Sequence, residues 1–230
     1  MGIAQVKRII HRSCVLALLF VILLTGSVQA GFYLPRVQEL VVPILGVSVD
    51  PTRRPVGVVS RVIIHFEKRT DRKGLRVQYG TTPGRFSLLA RQSIYQAIVR
   101  ASKRAQLSTD SWTVTVIFPY SGLTLYGKSL SAMVALSVVA LAKGDSILQG
   151  RALTGTITED GHIGKVGGVP LKVQAAYARH LRRVLIPQEY DVRDGDWRVP
   201  FLMQVSPVNT VDEAYFGLTG AHLHASIEAR

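Results

Sequence analysis

From Val58 the chain alternates apolar and polar positions through VVSRVIIHF, and it does so again through LRVQYG at residues 75–80. A spacing of two predicts β-strands, and the charged stretch Glu67–Lys73 between them suggests that the two runs pair. The period then changes. Phe86, Leu89, Ile94, Ile98 and Ala101 recur every three to five residues, with Arg91, Arg100, Lys103 and Arg104 between them, which predicts an amphipathic helix lying on a sheet. WTVTVIF at residues 112–118 predicts another strand, and the loop Pro119–Gly127 leads to SLSAMVALSVVALAKG, a buried helix closed by Gly144. A short strand over 152–157, the turn Glu159-Asp160-Gly161 and the glycine-rich GKVGGVP precede a helix that Pro170 can open. The strands RVLIP and LMQVSP and a last helix from about Thr210 complete the pattern.

Strands dominate early and alternate with helices later, so the expected class is α+β, a single mixed α/β layered domain. Pro35, Pro43, Pro51 and Pro55 break any regular period over residues 31–56, which read as an extended N-terminal segment. The folded domain is expected over 57–220 and a tail over 221–230. No internal repeat or low-complexity tract is present.

With 230 residues, 47% of them hydrophobic and 19% charged, the chain is neither a disordered acidic polymer nor collagen-like. Lys7, Arg8 and Arg12 precede an uncharged apolar run from Cys14 to Leu24, and Val28-Gln29-Ala30 offers a small-x-small cleavage site. Residues 1–30 therefore read as a signal peptide for export, to the periplasm or beyond. The run is too short for the roughly 20 residues that span a bilayer core, although an uncleaved signal anchor would associate the protein with the membrane through residues 14–24. Cleavage would remove the only cysteine, Cys14, so no disulfide or thiolate metal site is expected.

The formal charge is +13, and removing the three basic residues of the first 30 leaves +10. The basic residues are scattered from Arg53 to Arg198 without an aromatic stacking pattern, so a solvated basic surface is expected and not a nucleic-acid interface. His65, His162 and His180 lack metal-ligand spacing, and His222 and His224 fall in the expected tail, so neither a zinc site nor a Ser-His-Asp triad with Asp160 is favoured.

Gly122-Leu123-Thr124-Leu125-Tyr126-Gly127-Lys128-Ser129 satisfies the phosphate-loop pattern GxxxxGK(S/T) between a predicted strand and a predicted helix. A magnesium-holding Asp at the end of a later apolar strand is missing, because RVLIP ends in Pro187, and Leu123, Leu125 and Tyr126 are bulky for such a loop. A nucleotide-binding protein is thus the less favoured alternative.

The same residues admit another chemistry. Ser129 stands at a helix start, where free N–H groups can hold an oxyanion. Serine needs a base, and a lysine serves only when burial favours its neutral form. Lys172 follows Gly167-Gly168 and has Val169, Val173 and Ala176 around it, so its neighbourhood can be dry. Spacing alone favours the plainer reading, an N-cap serine and a solvated helix lysine.

Residues 112–218 resemble the proteolytic domain of Lon-type proteases, Ser-Lys peptidases usually fused to an ATPase. Pro119 matches the proline opening that family's catalytic loop, and Gly127 and Ser129 match Gly and Ser of its Asp-Gly-Pro-Ser-Ala-Gly motif. Thr154-Gly155 matches its Thr-Gly-Glu-Ile-Thr strand, Gly167 to Lys172 its Gly-Gly-Leu-Lys-Glu-Lys, VLIP its Val-Ile-Ile-Pro, and VDEAY its closing Val-Asp-Glu-Val-Leu. With GVVSRVIIHF as the opening strand, about 160 residues are covered.

This resemblance implies a ribosomal protein S5 domain 2-like fold and a serine endopeptidase without cofactor or metal. In it Ser129 is the nucleophile, Lys172 the base and Thr154 the residue that orients the lysine, with Gly127, Gly167 and Gly168 in support. Tyr126, Lys128, Ser131 and Thr156 depart from the family's Asp, Pro, Gly and Glu, so substrate contacts and site electrostatics should differ. Ser131, two positions on, should face away from Ser129. The expected partners are polypeptide substrates that are unfolded or flexible, cleaved without ATP because the domain fills the chain after the signal, with a homo-oligomer left open. A binding or assembly module that keeps the fold without proteolysis is the alternative.

Overall fold

β-branched runs form strands because their side chains fill a pleated, half-buried surface. The computed structural model describes residues 37–189 and 201–224, so the expected signal peptide lies outside the described residues. β1 (Gln38–Val49) and β2 (Pro55–Lys68) make a long antiparallel hairpin, in register from Gln38 opposite Phe66 to Val49 opposite Pro55. Asp50 fixes its turn, its carboxylate accepting hydrogen bonds from the Thr52 hydroxyl and from the N–H groups of Thr52 and Arg54 at 2.7–2.8 Å. The Thr52 hydroxyl first, and then the Arg54 N–H, hold that carboxyl below its ordinary range.

β3 (Arg76–Tyr79) and β5 (Trp112–Ile117) complete a four-stranded sheet of order β1-β2-β5-β3. The expected pairing of VVSRVIIHF with LRVQYG does not occur. β2 pairs antiparallel with β5, and β3 joins the far side of β5 in parallel. A period of two fixes which face is buried and says nothing about the neighbour. β5 buries every second residue and takes the position between the other two. The segment read as extended over 31–56 is, from Gln38 to Val49, an edge strand in which Pro43 is tolerated because one side needs no ladder donor.

The strand β4 (Arg85–Phe86) pairs with β6 (Thr124–Leu125) beside the first helix, α1 (Leu88–Arg104). The Ser87 hydroxyl caps α1 by accepting from the Ala90 N–H, and Lys103 and Arg104 suit its carboxyl end. Its buried stripe is Ala90, Ile94, Ala97, Ile98 and Ala101, whereas Leu89 is 54% exposed. The five-residue step from Leu89 to Ile94 turns about 140° around a helix, which takes Leu89 off the buried face. In α2 (Ser131–Lys143) every residue from Ser131 to Ala140 is buried, and Gly144 ends it in the left-handed region at φ +79°.

The second half of the chain builds a parallel sheet of order β11-β10-β7, from β7 (Arg151–Leu153), β10 (Arg183–Pro187) and β11 (Gln204–Val208). The strand expected over 152–157 breaks at Thr154-Gly155, and its remainder, β8 (Thr156–Ile157), pairs with β9 (Ile163–Gly164). Helix α3 (Val169–Ala178) carries Pro170 in its first turn. Helix α4 (Val211–Thr219) is closed at its start by a capping box between Thr210 and Glu213. Residues 221–224 are anchored, because Leu223 is buried and the Lys143 Nζ donates to the carbonyls of His222 and Leu223 at 2.8 Å.

Two apolar clusters hold the α+β domain together. The larger joins the first sheet to α1 and α2 through residues such as Val42, Ile64, Ile94, Val116 and Met133. The smaller joins Leu45 to Val173, Val184 and Ile186 around α3 and the parallel sheet. Adjacent residues of β1, Ile44 and Leu45, enter different clusters because successive strand side chains point to opposite faces. Among the described residues no helix is long and apolar enough to cross a membrane.

Candidate active site

Ser129 lies in the turn that leads into α2, half-buried, two residues before the first helical position. It is not the N-cap. That position is Leu130, which offers no capping side chain. The Ser129 carbonyl accepts the Gly155 N–H at 2.9 Å, and the Gly155 carbonyl accepts the Ala132 N–H at 3.2 Å. These two bonds clamp the serine turn to the break between β7 and β8. Beside that clamp, Thr154 is fully buried, and its hydroxyl accepts a hydrogen bond from the Lys172 Nζ at 3.2 Å.

Lys172 comes from the first turn of α3 and is only 3% exposed. Two close approaches hold α3 in place. A Cβ on Gly57 of β2 would lie 1.9 Å from the Leu171 carbonyl oxygen, so only glycine lets the strand touch the helix there. Gly168 has φ +66°, and a Cβ on it would lie 2.7 Å from the Val47 Cγ2. Gly167 and Gly127 are different, since an added Cβ would meet nothing within 4 Å at the first and only the Ser129 Oγ, at 3.9 Å, at the second. Their small size leaves the approach to Ser129 open.

Ser129, Lys172, Gly127, Gly167 and Gly168 line one groove of about 670 Å³, walled on the far side by the outer half of the hairpin. Ile44 to Ser48, Pro55, Val58 and Ser60 supply that wall. Sequence reasoning missed them; the surviving signal was the alternation in VVPILGVSV, obscured by Pro43 and Gly46. Among the described residues, the N–H groups of Ser129 and Leu130 have no acceptor.

The competing readings fare differently. No described histidine lines the groove: His65 lies 2.9 Å from Glu39, His162 lies 2.9 Å from Asp160, and His180 is exposed. Ser131 is buried outside the groove and its hydroxyl has no partner among the described residues. No cluster of three metal-ligating side chains occurs among the described residues. The GLTLYGKS segment is extended where a phosphate cradle would curl. Thr124-Leu125 pairs with β4, and the carbonyls of Leu123 and Leu125 accept the N–H groups of Arg85 and Ser87.

Residues 85–216 match the model of the Lon protease (S16) C-terminal proteolytic domain. An archaeal Lon protease of Archaeoglobus fulgidus is 29% identical over 164 residues, which cover 70% of this chain and 24% of the relative. The peroxisomal Lon protease homolog 2 of Caenorhabditis elegans is 31% identical over 140 residues, 57% of this chain and 18% of that protein. A Lon protease of Methanosphaera stadtmanae is 22% identical over 182 residues, 78% of this chain and 22% of that protein. The chain thus spans about a quarter or less of the length of these relatives. It belongs to the family of the Lon protease C-terminal proteolytic domain.

Proposed function

We propose that this member of the Lon proteolytic family is a serine endopeptidase in which Ser129 is the nucleophile and Lys172 the general base. The observation that carries the reading is the buried Lys172 bonded to Thr154, in a groove shared with Ser129. A general base must be the neutral amine, and burial as deep as that of Lys172 is the environment that disfavours an ammonium ion. A neutral amine that donates one N–H to Thr154 keeps its lone pair for the Ser129 hydroxyl proton.

The Ser129 oxygen then attacks a peptide carbonyl, and the proton passes to Lys172. The N–H groups of Ser129 and Leu130, without an acceptor among the described residues, would hold the oxyanion that forms. Lys172 returns the proton to the departing amine as the C–N bond breaks. Water, deprotonated by the same amine, releases the acyl group and restores Ser129. No step uses nucleotide, so cleavage of unfolded or flexible polypeptides without ATP belongs to the proposal. So does action outside the cytoplasm, which rests on the basic and apolar pattern of residues 1–30. An alkaline phosphatase fusion, active only after export, checks the location.

The chemistry is tested by trapping. A peptidyl boronate or fluorophosphonate incubated with the full chain should add one adduct that maps to Ser129, and Lys172→Met should abolish it while the fold is retained by circular dichroism. An adduct on another residue, or one indifferent to Lys172→Met, would contradict the assignment.

A further inference from the structure

The groove is chemically lopsided. Among the described residues, apolar groups such as Val47, Leu123, Leu125, Leu130 and Leu171 dominate its lining, no acidic side chain lines it, and Lys128 and Lys172 bring its cationic groups. Lys172 is buried against Thr154. Lys128 is exposed and stands next to Ser129 in the chain. The ion pairs among the described residues all lie elsewhere, from His65–Glu39 to His224–Asp212. An ammonium without a counter-charge among the described residues, on an apolar groove and beside the nucleophile, attracts a carboxylate and repels a cation.

We infer that Lys128 makes the groove selective for peptide segments that bring a carboxylate close to the scissile bond, with apolar residues around it. This rests on Ser129 as nucleophile, which fixes where the scissile bond lies. A free ammonium there discriminates substrates by charge before any chemistry occurs. The carboxylate can belong to an aspartate or glutamate side chain or to the end of a peptide, and both offer the same charge at the same spot.

The test uses the full chain and a set of amidated apolar decapeptides that carry Asn or Asp at each position in turn, with the Asn peptides also made with a free carboxyl end. Turnover by the wild type is measured as kcat/KM, and binding is measured with Ser129→Ala by fluorescence anisotropy. A carboxylate at one favoured position should raise kcat/KM and binding about 2- to 5-fold at low ionic strength, the range of an exposed ion pair. The gain should vanish near 1 M salt. Lys128→Glu should invert the preference, and Lys73→Glu, the same charge change on an exposed loop, should keep it. A gain in the Asp peptides assigns the carboxylate to a side chain, and a gain in the free-ended Asn peptides assigns it to a chain terminus. Equal values throughout, or a preference that Lys128→Glu leaves in place, would overturn the inference. Carboxylate-selective binding by Ser129→Ala with no turnover by the wild type would contradict the peptidase reading alone.

Discussion

At the residue scale the account turns on three side chains and one clamp. Ser129, Thr154 and Lys172 are separated along the chain; the Gly155 backbone, bonded to both Ser129 and Ala132, ties the serine turn to Thr154, and the Thr154 hydroxyl accepts from Lys172. Thr154 is fully buried and its hydroxyl accepts the Lys172 amine, so removing that oxygen while keeping the shape should loosen the amine without emptying the core. Thr154→Val should lower kcat by about ten-fold, the value of one buried hydrogen bond, and shift the pH–rate profile, while Thr154→Ser should restore most of both. Steady-state kinetics across pH decides this, and a Thr154→Val enzyme with unchanged rate and profile would remove Thr154 from the positioning of Lys172. Lys172 stood out as a candidate base from its glycine pair and apolar neighbours, whereas Thr154 was legible only through the family resemblance. Spacing cannot say that residues 18 positions apart share a buried hydrogen bond.

At the element scale, the site depends on how the hairpin meets α3. Gly57→Ala would drive a Cβ into the rigid carbonyl of Leu171, next to Lys172. A shift of α3 is then unavoidable, at about 1–3 kcal/mol, or a fall in Tm of about 3–10 °C. Gly168→Ala combines a Val47 contact with left-handed strain of about 1–2 kcal/mol. Gly167→Ala, next in the chain but facing open space, should change stability by less than about 0.5 kcal/mol. Thermal melts of the three variants make the comparison, and equal losses at 167 and 168 would contradict the packing described. The four described helices and most of the longer strands were legible from periodicity, but β1, interrupted by Pro43, and the two-residue strands β4, β6 and β9 were not. Strand partners were not legible either, as β3 and the edge strand β1 illustrate, because local alternation carries no record of the neighbouring strand. The groove wall formed by residues 44–48 was hidden because Pro43 and Gly46 obscure the alternation there.

At the scale of the whole molecule, the basic surface is stitched by carboxylates that the fold keeps ionised. Asp50 is held low by the Thr52 hydroxyl, Asp71 by the Arg69 guanidinium and Asp160 by the Thr158 hydroxyl. A carboxyl whose pKa is lowered by folding binds its proton less readily in the native state than in the unfolded one. Its contribution is therefore present above the ordinary carboxylate range near 4 and is lost as pH falls through the native value. Tm should be nearly level from pH 7 to 5 and decline below about pH 4, with a shallower decline in the Asp50→Asn, Asp71→Asn, Asp160→Asn triple variant; an identical acid limb in both proteins would refute the assignment. The central claim, that Ser129 and Lys172 together cut peptide bonds without nucleotide, meets its most direct test in the turnover of unfolded casein by the purified full chain. Wild type should release peptides in the absence of ATP, and Ser129→Ala and Lys172→Ala, each folded by circular dichroism, should release none. A folded wild type with no turnover, or turnover that survives either substitution, would contradict the account.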